Sequence, residues 1–174
     1  MHQFLIQGIG YLALLFVILS FQKNSRVKLL VYMLIGVALF VLHYALLRAW
    51  IGSVMNLIEA AMVFVAFKKE TTKWAKKRLW LYVAIGAYVI TGALTAKTVI
   101  DALPVLGQIL GTIAVWQSKP RTIRFIMLAP RPLWFAYNLV VGSYAGVAAE
   151  VFILASVLVG IVRFDVLHRP EKTS

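Results

Sequence analysis

Seven apolar runs, divided by short polar or basic stretches, dominate this chain. They fall near Gln3–Phe21, Val27–Leu47, Trp50–Phe67, Leu79–Ala96, Ile100–Trp116, Ile123–Val141 and Tyr144–Val162. At about 1.5 Å per residue, each run as a helix reaches across the ~30 Å hydrocarbon core of a bilayer. Polar and apolar residues do not alternate along the runs, which excludes barrel strands. In lipid each backbone N–H and C=O must be satisfied within the segment, which favours helix. The expected fold class is all-α, a polytopic membrane protein with seven transmembrane helices. Composition agrees: 62% of residues are hydrophobic and 14% charged, whereas a soluble domain is ~45–50% apolar. The first run is not read as a signal peptide, because "MHQ" carries no basic residue and no small-residue cleavage site follows.

The net charge of +12 raises nucleic acid as a partner. Placing each cation removes the need for one. With the N-terminus outside, the inner loops "QKNSRVK", "KKETTKWAKKR" and "SKPRTIR" and the C-terminal tail hold fifteen of the 18 Lys and Arg residues. Arg48 and Lys97 fall outside, and only Arg131 is left, deep inside the sixth run. An excess of that size on one side supports both the number of crossings and the orientation, with the C-terminus expected to be cytoplasmic. Trp50, Trp74, Trp80 and Trp116 sit near segment ends, as an interfacial belt should, and Trp134 does not. Glu70, Asp165 and Glu171 read as loop charges.

The chain contains a faint internal repeat. "HYALLRAWIGSVMN" lies over "YNLVVGSYAGVAAE" at a constant offset, so that His43 meets Tyr137, Tyr44 meets Asn138 and Asn56 meets Glu150. With one residue of slip, "LFVILSFQKN" lies over "LGTIAVWQSK". Helices one to three and five to seven thus read as two copies of one unit. A three-helix unit cannot be repeated in the same orientation without an extra crossing, and the fourth helix supplies it. The expected division is 1–69 for the first triple-helix repeat, 70–98 for a basic loop and linker helix, and 99–174 for the second repeat and tail. This is a plan of two parallel triple-helix bundles. The linker helix carries no conspicuous polar residue apart from Thr91 and Thr95.

The order "LPVLGQILGTIAVWQ", "PLWFAYNLVVGSYAGVAAEVF", "GIVRF", with "IGYLALL", "HYALLRAWIG" and "MNLIEA" in the first half, resembles the YgjV-type bacterial inner membrane proteins. The resemblance covers about residues 8 to 164 and implies location in the inner membrane. The 3+1+3 plan is similar to SWEET sugar transporters and other PQ-loop proteins. That similarity implies a central substrate pocket and alternating access. It also implies a pair of asparagines on the third and seventh helices, with polar or aromatic partners on the second and sixth. Asn56 holds the third-helix position, and Glu150 stands where the second asparagine is found. The Pro-Gln pair is reduced to Pro104, with Gln108 four residues on.

Side chains three, four and seven apart share a helix face. One face of the sixth segment joins Arg131, Trp134 and Asn138, and one face of the second joins Phe40 and Tyr44 with His43 beside them. Asn56 and Glu59 share a face of the third, and Glu150 stands in an apolar stretch of the seventh. Counting rise from the outer ends puts Arg131 and Glu59 about 15 Å deep, and Asn56 and Glu150 about 9 Å deep. Two layers are expected, with Tyr44, Asn138, His43 and Tyr137 in the upper one. Ionisable groups at these depths cost about 2.5–3.5 kcal/mol each and face the bundle interior. Arg131 should therefore lie within reach of Glu59 or Glu150. Such a pair serves either as a structural tie or as part of a solute pocket. Alone, the aromatics would be packing residues and His43 a hydrogen-bonded core residue.

Pro130 and Pro132 remove backbone donors beside Arg131 and should kink the sixth helix there. With Pro104 they are the candidate hinge residues. "GQILG" and "GSYAG" place small residues four apart, a spacing that lets helices approach closely.

His2, His43 and His168 are scattered, with no metal-ligand spacing, and there is no phosphate loop or nucleophile elbow. With no cysteine, disulfides and thiolate metal sites are excluded. The expected protein is not an enzyme and uses no cofactor and no metal. It is a small-molecule transporter or facilitator acting by alternating access. A small polar or zwitterionic metabolite is preferred to a neutral sugar, and proton coupling through Glu150, Glu59 or His43 stays open. The expected partners are the lipid bilayer and that solute, with no nucleic acid, and a homo-oligomer is compatible with the sequence. The alternative is a non-transporting structural or assembly membrane protein with a buried ion pair.

Overall fold

The computed structural model describes residues 2–46, 50–69, 71–95, 98–140 and 144–167. Arg48, Lys97, Glu70, His168 and Glu171, each given a place above, and Gly142 of the "GSYAG" stretch lie outside them. The described residues form helices joined by turns: α1 (His2–Phe21), α2 (Arg26–Leu46), α3 (Trp50–Lys68), α4 (Leu79–Thr95), α5 (Ala102–Val115), α6 (Pro120–Ile126), α7 (Pro130–Val140) and α8 (Tyr144–Ile161). One-turn 3-10 helices, Trp74–Lys76 and Val99–Asp101, precede α4 and α5, and a π-helical turn, Val162–Val166, ends α8. Two stretches, Arg26–Leu46 and Val147–Val166, are by themselves long and apolar enough to cross a membrane, and Leu5–Phe21, Leu79–Leu94 and Ala102–Val115 are shorter apolar helices.

Six of the seven apolar runs each give one main helix. The sixth does not. The kink expected inside a continuous helix is a complete break into α6 and α7. Pro130 and Pro132 have no N–H to give to the carbonyls one turn earlier, and Pro130 disfavours helical torsions at Ala129. The chain tightens into a turn instead, with Leu128 N bonding Phe125 O at 3.3 Å and Ala129 N bonding Ile126 O at 3.0 Å. Pro130 then opens α7 in the first turn, where a missing N–H breaks no intrahelical bond.

Neighbouring helices close a ring: α1 packs on α2, α2 on α3, α3 on α5, α5 on α7, α7 on α8 and α8 back on α1. α4 packs on α3 and α5 from outside. It turns Tyr82, Ile90 and Leu94 outward, exposed at 62%, 62% and 81%. Leu5, Phe152 and Val159 on other helices are also exposed. Such an apolar surface is foreign to a soluble monomer and is what lipid would cover.

One end of the ring carries Phe21, Arg26, Lys69, Trp116 and Arg124, and we call it the basic end. An apolar core drawn from both halves, α1–α3 and α5–α8, fills it; Phe21, Leu30, Val63, Val115, Ile123 and Val157 are all fully or almost fully buried. Polar bonds then tie the halves. Gln22 Nε2 donates to Ser156 O at 2.7 Å, and Ser156 Oγ to Ile18 O at 2.7 Å. Arg26 Nε donates to Gln117 O and Lys69 Nζ to Trp116 O, both at 2.6 Å.

Asp165 is not the loop charge the sequence suggested. It is buried, and its carboxylate receives Arg124 Nε at 2.8 Å and Nη2 at 2.7 Å. Arg124 is fully buried, donates also to Lys23 O, and has Phe164 under its guanidinium. The π-helical turn makes this possible by swinging Asp165 inward beyond the last α-helical residue of α8.

Candidate functional site: a polar cavity around a broken helix

Each wall of the ring puts residues on a common interior. α2 contributes Phe40 and Tyr44, one turn apart, and their rings lie 6.1 Å apart in a stacked arrangement. α3 contributes Asn56 and Glu59, α7 contributes Arg131, Trp134 and Asn138, and α8 contributes Glu150. These eight candidates all line one cavity of about 110 Å³. That is far more than the ~10–15 Å³ a lone water needs. α1, α2 and α8 floor it with Val17, Met33, Val37 and Ile153, and no residue of α4 reaches it.

Arg131 Nη1 bonds Glu150 Oε2 at 2.8 Å, with the two side chains 14% and 11% exposed. Helix rise assigns Arg131 and Glu150 to different layers, and this bond joins the two. Glu59 accepts a longer bond, 3.4 Å, from Gln108 Nε2. Its separation from Arg131 exceeds the range of a direct salt bridge, so of the two carboxylates offered to Arg131 the one on α8 is used. Asn56 Nδ2 donates to Gly52 O on its own helix at 2.8 Å. Arg131 Nε is buried without a hydrogen-bond partner among the described residues. The same ion pair borders an apolar groove of about 290 Å³ between α7 and α8, lined also by Pro132, Phe135, Val151 and Leu154. The pair thus separates the polar interior from the apolar surroundings.

Two candidates are held away from the lining. His43 Nδ1 lies 2.9 Å from Ile6 O, and its ring packs edge-on against Tyr44. Tyr137 meets Trp134 at right angles, 6.0 Å between ring centres. Of the three candidate hinge prolines, Pro130 and Pro132 open α7 and Pro104 sits in the first turn of α5.

α5 also lines the cavity, with Gly107, Gln108 and Gly111, which are not among the lining residues expected from the sequence. Gly107 leaves room for an indole: a Cβ there would come within 2.6 Å of Trp134 Nε1. The signal was present, since "GQILG" holds both glycines and Gln108. Small-residue spacing points to helix contact, whereas here the partner of one glycine is a side chain.

The arrangement offers a solute one cation, two carboxylates, amides and aromatic faces, with a helix N-terminus beside the cation. Among the described residues, no cluster of His and carboxylates could hold a metal ion.

No solved structure matches this chain. It is similar to the inner membrane protein YgjV of Escherichia coli (strain K12), with 24% identity over 163 residues, 92% of this chain and 84% of that protein. The Imp-YgjV family, described as bacterial inner membrane protein, matches residues 4–168. A match of that extent covers every wall of the cavity, and the chain belongs to this family of bacterial inner membrane proteins.

Proposed function

We propose that the protein is a transporter or facilitator of the inner membrane, which moves a small polar or zwitterionic solute through the central cavity by alternating access. The observation that carries this reading is the cavity itself, where both halves of the ring supply charged and amide side chains around a helix broken at its middle. Discontinuous helices at mid-membrane are a recurrent way of presenting backbone and charge to a transported solute. A tie that served only to hold helices together would have no use for the surrounding open volume, aromatics and amides.

In this reading the chain has the 3+1+3 plan of SWEET-like proteins: α1–α3 and α5–α8 are parallel repeats and α4 is the linker. Supporting this are the ring order, in which α1 meets α8 as α5 meets α3, and the placement of α4 outside it. The N-terminus lies outside and the basic end faces the cytoplasm. Bilayer and solute are the partners, and the chain is not an enzyme. The break at Met127–Ala129, followed by Pro130 and Pro132, is the hinge about which α7 rocks.

The test needs no knowledge of the solute. Asn138→Cys is made in this chain, which has no other cysteine. The variant is then labelled with a membrane-impermeant thiol reagent in right-side-out and in inverted vesicles. Reaction from both sides, at different rates, is the expected result. A cysteine that reacts from neither side would leave the structural alternative, with the Arg131–Glu150 pair as a plain tie between α7 and α8.

A further inference from the structure

We infer that the cavity selects a compact zwitterion of the amino-acid type, its anionic group bound by Arg131 at the start of α7 and its cationic group by Glu59 on α3. This rests on the transport reading above and names the substrate class for that cavity.

Two unmet needs in the lining point to it. The first is Arg131 Nε, buried and without an acceptor while Nη1 is engaged by Glu150. A buried donor left unpaired is costly, and in native proteins it marks a place where another group belongs. What belongs here is an acceptor, and the position favours an anion. Arg131 is the second residue of α7, and a helix N-terminus carries partial positive charge. The second need is Glu59. The lining holds Arg131, Glu59 and Glu150 as its charged groups. Glu150 takes the arginine directly, which leaves Glu59 with the Gln108 amide at 3.4 Å and with Arg131 only at longer range. One carboxylate is in excess in a place where charges are normally paired.

Candidate ligands can be ranked by these two needs. A simple carboxylate would meet Arg131 and add to the excess negative charge beside Glu59. A simple amine would neutralise Glu59 and leave Arg131 Nε unpaired. A polyol could hydrogen-bond to both, yet would leave the charge uncompensated. A zwitterion satisfies both. The cavity volume of about 110 Å³ suits a compact solute. Trp134 and Tyr44 would supply its apolar contacts, and Asn56 and Asn138 its neutral hydrogen bonds. The two charged ends are read by helices of different halves, so the bound solute would bridge them.

The test is binding to the purified full chain, by thermal shift and calorimetry. The probes are L-alanine, L-serine and β-alanine; the half-molecules propionate and ethylamine; and D-glucose. At least one zwitterion should bind tenfold or more tightly than either half-molecule or glucose. Glu59→Gln should lower that affinity at least tenfold and abolish the preference for the amino group, so that propionate binds as well as L-alanine. A merely structural Glu59 would not produce that exchange of specificity. Arg131→Lys, which keeps the charge but has no Nε of this geometry, should weaken zwitterions and propionate alike. Binding of glucose with no zwitterion bound would overturn the inference and leave the transport reading standing. So would silence from every probe in a protein whose Ala149→Cys variant still reacts with a thiol reagent. Silence together with an unreactive Ala149→Cys would overturn both.

Discussion

Arg131 Nη1 and Glu150 Oε2 are 2.8 Å apart, and this bond joins the broken helix α7 to α8 at the edge of the cavity. Removing one partner strands the other as a buried charge. Glu150→Ala should therefore cost about 3–5 kcal/mol of stability. Replacing both by leucine should restore most of it, because an apolar pair of similar volume is often neutral. The double variant is then the informative one. It should melt near the wild-type temperature and still give no solute binding. Full binding in a folded Arg131→Leu, Glu150→Leu protein would show the pair to be a tie alone.

The Arg124–Asp165 pair is the more deeply buried of the two, with side chains 0% and 5% exposed. Both carboxylate oxygens are used, in the two-pronged geometry that makes arginine–carboxylate bonds strong. Asp165→Ala should destabilise the protein by about 3–5 kcal/mol. Lys28→Ala, an exposed cation on α2 near the same end, should change stability by less than about 0.5 kcal/mol. Denaturation in a fixed detergent measures both, and equal losses would remove Asp165 from the fold's supports.

Gly107 and Trp134 give a packing test. A Cβ at residue 107 falls 2.6 Å from the indole Nε1, so Gly107→Ala must push Trp134 into the cavity or out of its rotamer. A loss of about 1–3 kcal/mol is expected, the usual cost of overpacking. A shift in tryptophan emission should accompany it. Gly111→Ala, where nothing lies within 4 Å of the added carbon, should leave both unchanged.

Orientation is checked by two exposed positions. Val99, 89% exposed before α5, should react as Val99→Cys with an impermeant thiol reagent added to intact cells. Ser25, exposed between α1 and α2, should be protected as Ser25→Cys until the membrane is opened. The reverse pattern would invert the assignment.

The helices were legible because lipid leaves few options: an apolar run long enough to cross must satisfy its own backbone. The Arg131–Glu150 contact was legible for the same reason, since an ion at that depth needs a partner. Which carboxylate it would choose was not, because rise per residue measures the backbone and ignores the reach of arginine. The break at Met127–Ala129 was legible only as a kink. Proline marks where hydrogen bonds fail, and whether the chain bends or turns there depends on what packs on both sides. Arg124 and Asp165 were missed for a different reason. Charges at segment ends are assigned to water by composition, and a π-helical turn that folds one inward leaves no mark in the pattern. His43 stood on the correct helix face, yet the Ile6 carbonyl holds it.

The polar bonds between halves run from the Gln108–Glu59 contact toward the basic end, where Gln22, Arg26, Lys69 and Arg124 all reach across. Toward the other end His43 bonds Ile6 and Ser53 bonds Val41, each within the first half. Compliance is therefore graded along the axis, as in a pair of tongs sprung at one end. Backbone amides near Phe21, Trp116 and Arg124 should exchange slowly with deuterium, and those near Tyr44 and Val140 faster, since local opening follows the density of buried bonds. Tongs of this kind part at their free tips with little cost to the spring, so the end opposite the basic one should open first.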